Sequence, residues 1–232
     1  MSELAPIETT PATQKPLKRG DLRNALICYA RAETDAGRID HMSLRAAARD
    51  LGVSSGAVYR HFDDKDALLK AVAHQGFEEI RERFVSIRPE SEPATAAEIV
   101  VARAFKMGRA FVEFAHEHTA LWRMMFGRIG VLCRKDKESD PTQMGYTVQD
   151  CTFENMRDLY RLGGIEDEPT LEDTRFFWSA IHGAADLSQC KMRVDNCCME
   201  EVADQTTARS MRALGCDRAL IARGRALLDT GS

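Results

Sequence analysis

The sequence predicts an all-α protein, and three observations carry that prediction. Residues able to cap a helix recur before runs of apolar residues spaced three and four apart, and Gly or Pro follows most of these runs. The alternation of β-branched and polar residues that marks strands is almost absent. No apolar stretch approaches the roughly 18 residues that cross a bilayer, so no membrane-spanning helix is expected.

Taken in order, residues 1–17, MSELAPIETTPATQKPL, are rich in Pro and Thr and poor in large apolar groups, so a disordered tail is expected there. The first helix is expected from about Gly20 to Ala36, with Leu22, Ala25, Leu26, Tyr29 and Ala30 on one face and Gly37 as its stop. Ser43 stands in N-cap position before LRAAARDL, and Gly52 closes that short helix; Ser54 caps another short segment through His61. Asp63 and Asp64 offer caps for a long helix from Lys65 to Ile87, with Pro89 and Pro93 beyond it. TAAE, Thr95 to Glu98, has the spacing of a capping box and opens a helix to about His116. A shorter helix follows over Thr119 to Gly127, then RKDKESDP is expected as a polar loop. Further helices are expected over about Thr142–Leu162, from a Thr170/Asp173 cap through Met192, and from Met199 to Leu228 with a break at Gly215.

Charge narrows the function classes. The net charge of −4 argues against a protein that coats nucleic acid by bulk attraction. Between Lys15 and Gln75, however, eleven Lys and Arg face eight Asp and Glu, so this segment is about +3 and the remainder about −7. Anion binding is therefore expected at the N-terminal end. Seven cysteines, at 28, 133, 151, 190, 197, 198 and 216, form no regular framework, and no signal peptide pattern precedes them. Reduced thiols in a cytoplasm are the expectation.

The two short helices joined by GVS are a helix-turn-helix candidate, whose second helix would enter a DNA major groove while the first crosses the backbone. Val58, Phe62 and Leu51 can face inward, which turns the polar groups of VSSGAVYRHFDDKDALL outward. A tyrosine hydroxyl, a histidine and a lysine at the next helix N-terminus are donors of the kind that fix a protein on phosphates. Taken singly, Tyr59 could instead be a core-edge residue and His61 a helix C-cap.

Residues 19–69, above all SLRAAARDLGVSSGAVYRHFDDKDALL with its LGVS-x-G-x-x-Y-x-HF-x-x-K-x-x-L pattern, resemble the DNA-binding domain of TetR-family transcriptional regulators. The resemblance implies an N-terminal helix-turn-helix three-helix DNA-binding domain over residues 18–66 and a larger helical effector-binding and dimerisation domain over 67–232. It implies base reading by Arg45, Ser55, Gly56 and Ala57, and phosphate contacts from Ser43, Ser54, Tyr59, His61 and Lys65. Arg60 falls at a variable position and is expected to be a solvated neighbour. Ser55 and Ala57 are small, so direct readout would rest on Arg45 to guanine, Ser55, and an Ala57 contact to a thymine methyl.

In the second part, aromatics and methionines line the helices: Phe111, Phe114, His118, Trp122, Met125, Phe126, Met156 and Tyr160. Such stripes usually form core, and they also line adaptable cavities between helices. FFWSAIHGAADL, Phe176 to Leu187, puts Trp178 and His182 one turn apart. With LWRMMF before it, this segment resembles the WHG-type C-terminal domain of a subset of TetR-like regulators. These ten residues are expected to surround an effector. His182 has no second ligand at zinc-like spacing, so a buried, hydrogen-bonded imidazole is preferred to a metal site.

No nucleophile elbow, P-loop or dinucleotide fingerprint occurs, so no enzyme activity and no cofactor are expected. The resemblance implies a repressor that binds a palindromic double-stranded DNA operator as a homodimer and leaves it when a small hydrophobic effector binds. One alternative is control by thiol redox, metal or a protein partner, with Cys190, Cys197, Cys198 and Cys216 as the sensing group. Another is an enzyme or carrier working through the helical domain alone.

Overall fold

The computed structural model describes residues 21–88, 94–139, 147–189 and 197–228, and every regular element among them is helical. Helix α1, Asp21–Asp35, buries Leu22, Leu26, Ile27 and Ala30. Gly37 reverses the chain at φ +69°, and a 3-10 turn, Ile39–His41, leads to α2, Leu44–Asp50. The Ser43 side chain accepts from the Ala46 N–H, capping α2. Gly52 ends α2 at φ +68°, a conformation an L side chain resists. The short α3, Ser55–Tyr59, is capped in turn by Ser54, which accepts from Ala57 N. Val58 and Phe62 are buried under it, while Leu51 is partly so.

Helix α4, Lys65–Ile87, starts on Asp64, whose carboxylate accepts from Ala67 N at 2.7 Å. It runs unbroken through residues 66 and 67, so the two expected domains share one continuous helix. Helix α5, Ala97–Glu117, is buried on nearly all sides and touches α4, α6 (Thr119–Phe126), α8 (Val148–Arg161), α9 (Leu171–Ser188), α10 (Met199–Ala213) and α11 (Arg218–Ala226). A helix packed against six others stands at the centre of the helical domain. The remaining helix, α7, Arg128–Ser139, packs on α4 and α6.

Three expectations about elements need correction. The polar loop expected at RKDKESDP is, up to Ser139, the second half of α7. Ile129 and Cys133, one turn apart, are buried and hold the helix down. The Thr95/Glu98 capping box does not form, because the helix starts one residue later, on Ala96, which has no side-chain cap. Glu98 instead accepts from Arg223 Nε of α11 at 2.8 Å. The helix expected from Thr142 starts on Thr147, which forms a capping box with Asp150; Thr142 itself, like Cys190, Met192, Pro89, Pro93 and the tail, lies outside the described residues. Thr170 and Asp173 do form the expected capping box, and Gly215, at φ +87°, separates α10 from α11.

Candidate nucleic-acid interface and ligand cavity

The helix-turn-helix presents its small and polar residues to solvent because its apolar residues are spent on the core. Arg45 on α2 and Ser55 and Gly56 on α3 are exposed, Ala57 is half-buried, and Tyr59 is 44% exposed at the last position of α3. His61 follows, half-buried. Each capping serine accepts a backbone N–H and keeps its own hydroxyl proton for an outside acceptor. Acidic neighbours are partly neutralised within the protein. Asp64 caps α4. Tyr29 of α1 donates to Asp50 at 2.8 Å and holds that carboxyl below its usual range, with Arg49 adding to the effect. The Lys65 ammonium donates to the Ile39 carbonyl at 2.5 Å and to the Asp40 carbonyl at 3.3 Å, tying α4 to the 3-10 turn, and keeps a third N–H for an outside acceptor.

Two contacts carry this domain's position into the rest of the protein. Arg128, the first residue of α7, donates both Nη groups to the Asp66 carboxylate at 2.7 and 2.6 Å and pulls the Asp66 carboxyl below its usual range. Further along α4, a Cβ on Gly76 would overlap the Met125 sulfur and press on Leu121. A larger residue at 76 would require the Met125 side chain to shift. Arg31 of α1 adds a bidentate bond to Glu79 and a contact with His118 Nδ1 at 3.3 Å.

Behind α6 lies an aromatic cluster. Phe111 meets Trp122 and Trp178 edge-on, with ring centroids 4.9 Å apart in both cases. The His182 ring stacks on Trp122 at 5.0 Å and meets Phe126 at 4.5 Å. Trp122 Nε1 donates to Asp186 at 2.7 Å, and His182 Nε2 lies 3.6 Å from the same carboxylate. Burial pushes the His182 imidazole below 6.5, against the opposite pull of Asp186, so the neutral ring is the native form at pH 7.

Two spaces adjoin this cluster. The first is a small internal cavity of about 30 Å³, room for about one water molecule, between α5, α8, α9 and α10. Its wall is apolar and includes Phe111, Met156 and Trp178. The second is an open cleft of about 910 Å³ between α1, α4, α6, α7 and α8, with Met125, Phe126 and Trp178 on its rim. Trp178 thus touches both. Of the remaining residues expected around an effector, Trp122 and His182 pack in the aromatic cluster, and Phe114 is buried against His118 and under the Arg83 guanidinium. His118 faces α1, and Tyr160 is 38% exposed on the outer side of α8.

The cavity wall also contains residues outside the ten expected around an effector, notably Thr152, Asn155 and Leu159 of α8 and Met211 and Leu214 of α10. Residues 152, 155, 156 and 159 share one helical face, and an amide within a buried apolar face was the available signal. Of the cysteines considered as a sensing group, Cys198 is exposed, Cys197 is half-buried, Cys216 is buried with its thiol pushed up to about 11, and Cys190 lies outside the described residues. A thiol so raised is a poor nucleophile at neutral pH.

Comparison with known proteins follows the same division. Residues 39–72 match the bacterial regulatory proteins of the tetR family, and residues 104–214 match the tetracyclin repressor-like C-terminal domain. No curated protein matches the sequence. Among solved structures, a protein of unknown function from Rhodococcus sp. RHA1 is 25% identical, with a TM-score of 0.67 over 87% of this chain and 99% of its own. A bacterial regulatory protein of the tetR family from Rhodococcus RHA1 is 17% identical, with a TM-score of 0.57 over 84% of this chain and 98% of its own. The RolR protein in complex with resorcinol is also 17% identical, with a TM-score of 0.59 over 90% of this chain and 96% of its own.

Proposed function

Because this chain belongs to the tetR family of bacterial regulatory proteins, we propose that it is a repressor that binds a palindromic operator as a homodimer and is released by a small hydrophobic effector. The observation that carries the reading is the joint between its two halves. One helix, α4, begins beside the exposed face of α3, is clamped at Asp66 by Arg128, and is pressed at Gly76 against Met125 of α6. That same α6 bears Trp122 and Phe126 of the aromatic cluster beside the cavity. A molecule that displaced the cluster would therefore press on α6, which packs directly on α4. Two recognition helices fill successive major grooves only at about 34–36 Å, so a small tilt of α4 abolishes binding. The effector acts through its difference in affinity for the two arrangements.

In this reading Arg45, Ser55, Gly56 and Ala57 face bases, and Ser43, Ser54, Tyr59 and His61 face phosphates. Lys65 also fixes the 3-10 turn through two of its N–H groups and offers the third to a phosphate. The dimer face is assigned to α9, where Phe176 and Leu187 are 53% and 60% exposed and lie on one side with Ala180 and Gly183 between them. The resorcinol complex of RolR supports a small organic effector. A regulator of this kind performs no catalysis and works in the cytoplasm.

The test is binding of the full-length protein to the DNA flanking its own gene at several salt concentrations. A steep negative slope of log affinity against log salt is expected. Arg45→Ala should weaken the operator by about 1–3 kcal/mol while leaving random DNA nearly unaffected. A slope near zero, or equal loss on both DNAs, overturns the assignment.

A further inference from the structure

Asn155 is 5% exposed and lies in the wall of the internal cavity. Its Nδ2 donates to the Val100 carbonyl of α5 at 3.2 Å, while its Oδ1 is buried without a hydrogen-bond partner. The amide cannot be turned over, because that would set its oxygen against the Val100 oxygen. An unmet acceptor therefore stands in a wall that is mainly apolar. Such an atom costs stability unless something supplies a donor. The second polar residue of the wall, Thr152, spends its hydroxyl proton on the Val148 carbonyl at 3.0 Å, so it too can only accept.

We infer that the cavity selects a neutral, mainly apolar molecule with one hydroxyl or N–H donor, which Asn155 Oδ1 receives. This rests on the reading of the cavity as the effector site. No charged side chain lines the cavity, so a carboxylate would be buried uncompensated and would face two acceptors. An apolar molecule without a donor would leave Oδ1 unmet. A cavity of about 30 Å³ is too small for an aromatic ring as it stands, but Met107, Met156 and Met211 form part of its wall. Methionine side chains repack at low cost, so the space opens around a ligand. Trp178 lines both the cavity and the open cleft, and Trp122 packs in the adjoining aromatic cluster, so tryptophan fluorescence reports occupancy.

The experiment titrates the full-length protein with phenol, anisole and benzoate, which share a ring and differ in donor and charge, while tryptophan fluorescence and the unfolding midpoint are followed. Phenol is expected to bind about tenfold more tightly than anisole, the worth of one hydrogen bond, and benzoate more weakly than either. Asn155→Leu should bring phenol and anisole to parity. Should that variant fold poorly, the phenol-to-anisole ratio of the unaltered protein decides the matter alone. Equal binding of phenol and anisole, or tighter binding of benzoate, overturns the role of Asn155 and leaves the effector site standing. No response to any of the three at millimolar concentration, with operator affinity unmoved, overturns both.

Discussion

Replacing Arg109 by Met should destabilise the protein through a carboxylate left behind rather than through the charge removed. Asp204 of α10 has a side chain only 2% exposed, held by Arg109 Nε and Nη2 of α5 at 2.7 and 2.8 Å and by Arg225 of α11 at 3.0 Å. Arg109 also pairs with Glu200. Breaking a buried pair by removing one partner costs about 3–5 kcal/mol. Arg225 still holds one carboxylate oxygen and is itself 55% exposed, so part of that cost is recovered. The expected loss is about 2–3 kcal/mol, and at about 2–4 °C per kcal/mol for a chain of this size the unfolding midpoint should fall by about 4–12 °C. Calorimetric or circular-dichroism melts measure it directly. Adding Asp204→Leu to Arg109→Met removes the orphaned charge, lets Arg225 turn to water, and should restore most of the loss. A single-variant shift under about 2 °C, or a double variant no better than the single, refutes the reasoning.

Three further outcomes are expected. If α9 forms the proposed dimer face, Phe176→Asp with Leu187→Asp should shift the protein from dimer to monomer in sedimentation equilibrium while leaving helical content unchanged; a dimer that survives both changes places the interface elsewhere. His182 has its imidazole held below 6.5 by burial, so the unfolded chain takes up a proton that the folded chain resists. Stability should therefore fall as pH drops below about 6.5, and His182→Phe should flatten that slope in melts between pH 5 and 7; an unchanged slope removes His182 from the account. In native alkylation read by mass spectrometry, the exposed Cys28 and Cys198 should react well before Cys216, whose thiol is pushed up to about 11; rapid labelling of Cys216 would revive a thiol sensor.

The helix-turn-helix was legible in the sequence because its determinants are local. Ser43, Ser54 and Asp64 each cap a helix within three residues, and Gly52 makes the turn with its own φ. The region proposed to hold the effector was only partly legible. Phe111, Met156 and Trp178 of the aromatic and methionine stripes reach the cavity wall, whereas Phe114, His118 and Tyr160 share the same composition and face elsewhere. Helical spacing says which residues share a face and not which helix that face meets. The polar stretch after Cys133 was misread for a related reason: it holds helix through Ile129 and Cys133, which are anchored by α4, a partner some sixty residues away in sequence.

By itself, then, the sequence settled the helical class, the turn geometry and the exposed polar face of α3, since each depends on contacts within a few residues. Tertiary structure alone decided that Lys65 binds the 3-10 turn, that Gly76 brings α4 against α6, and that Asn155 keeps an acceptor unmet in an apolar wall. Those facts come from side chains meeting across helices. Whether a buried polar atom finds a partner is settled only when every neighbouring helix has taken its place.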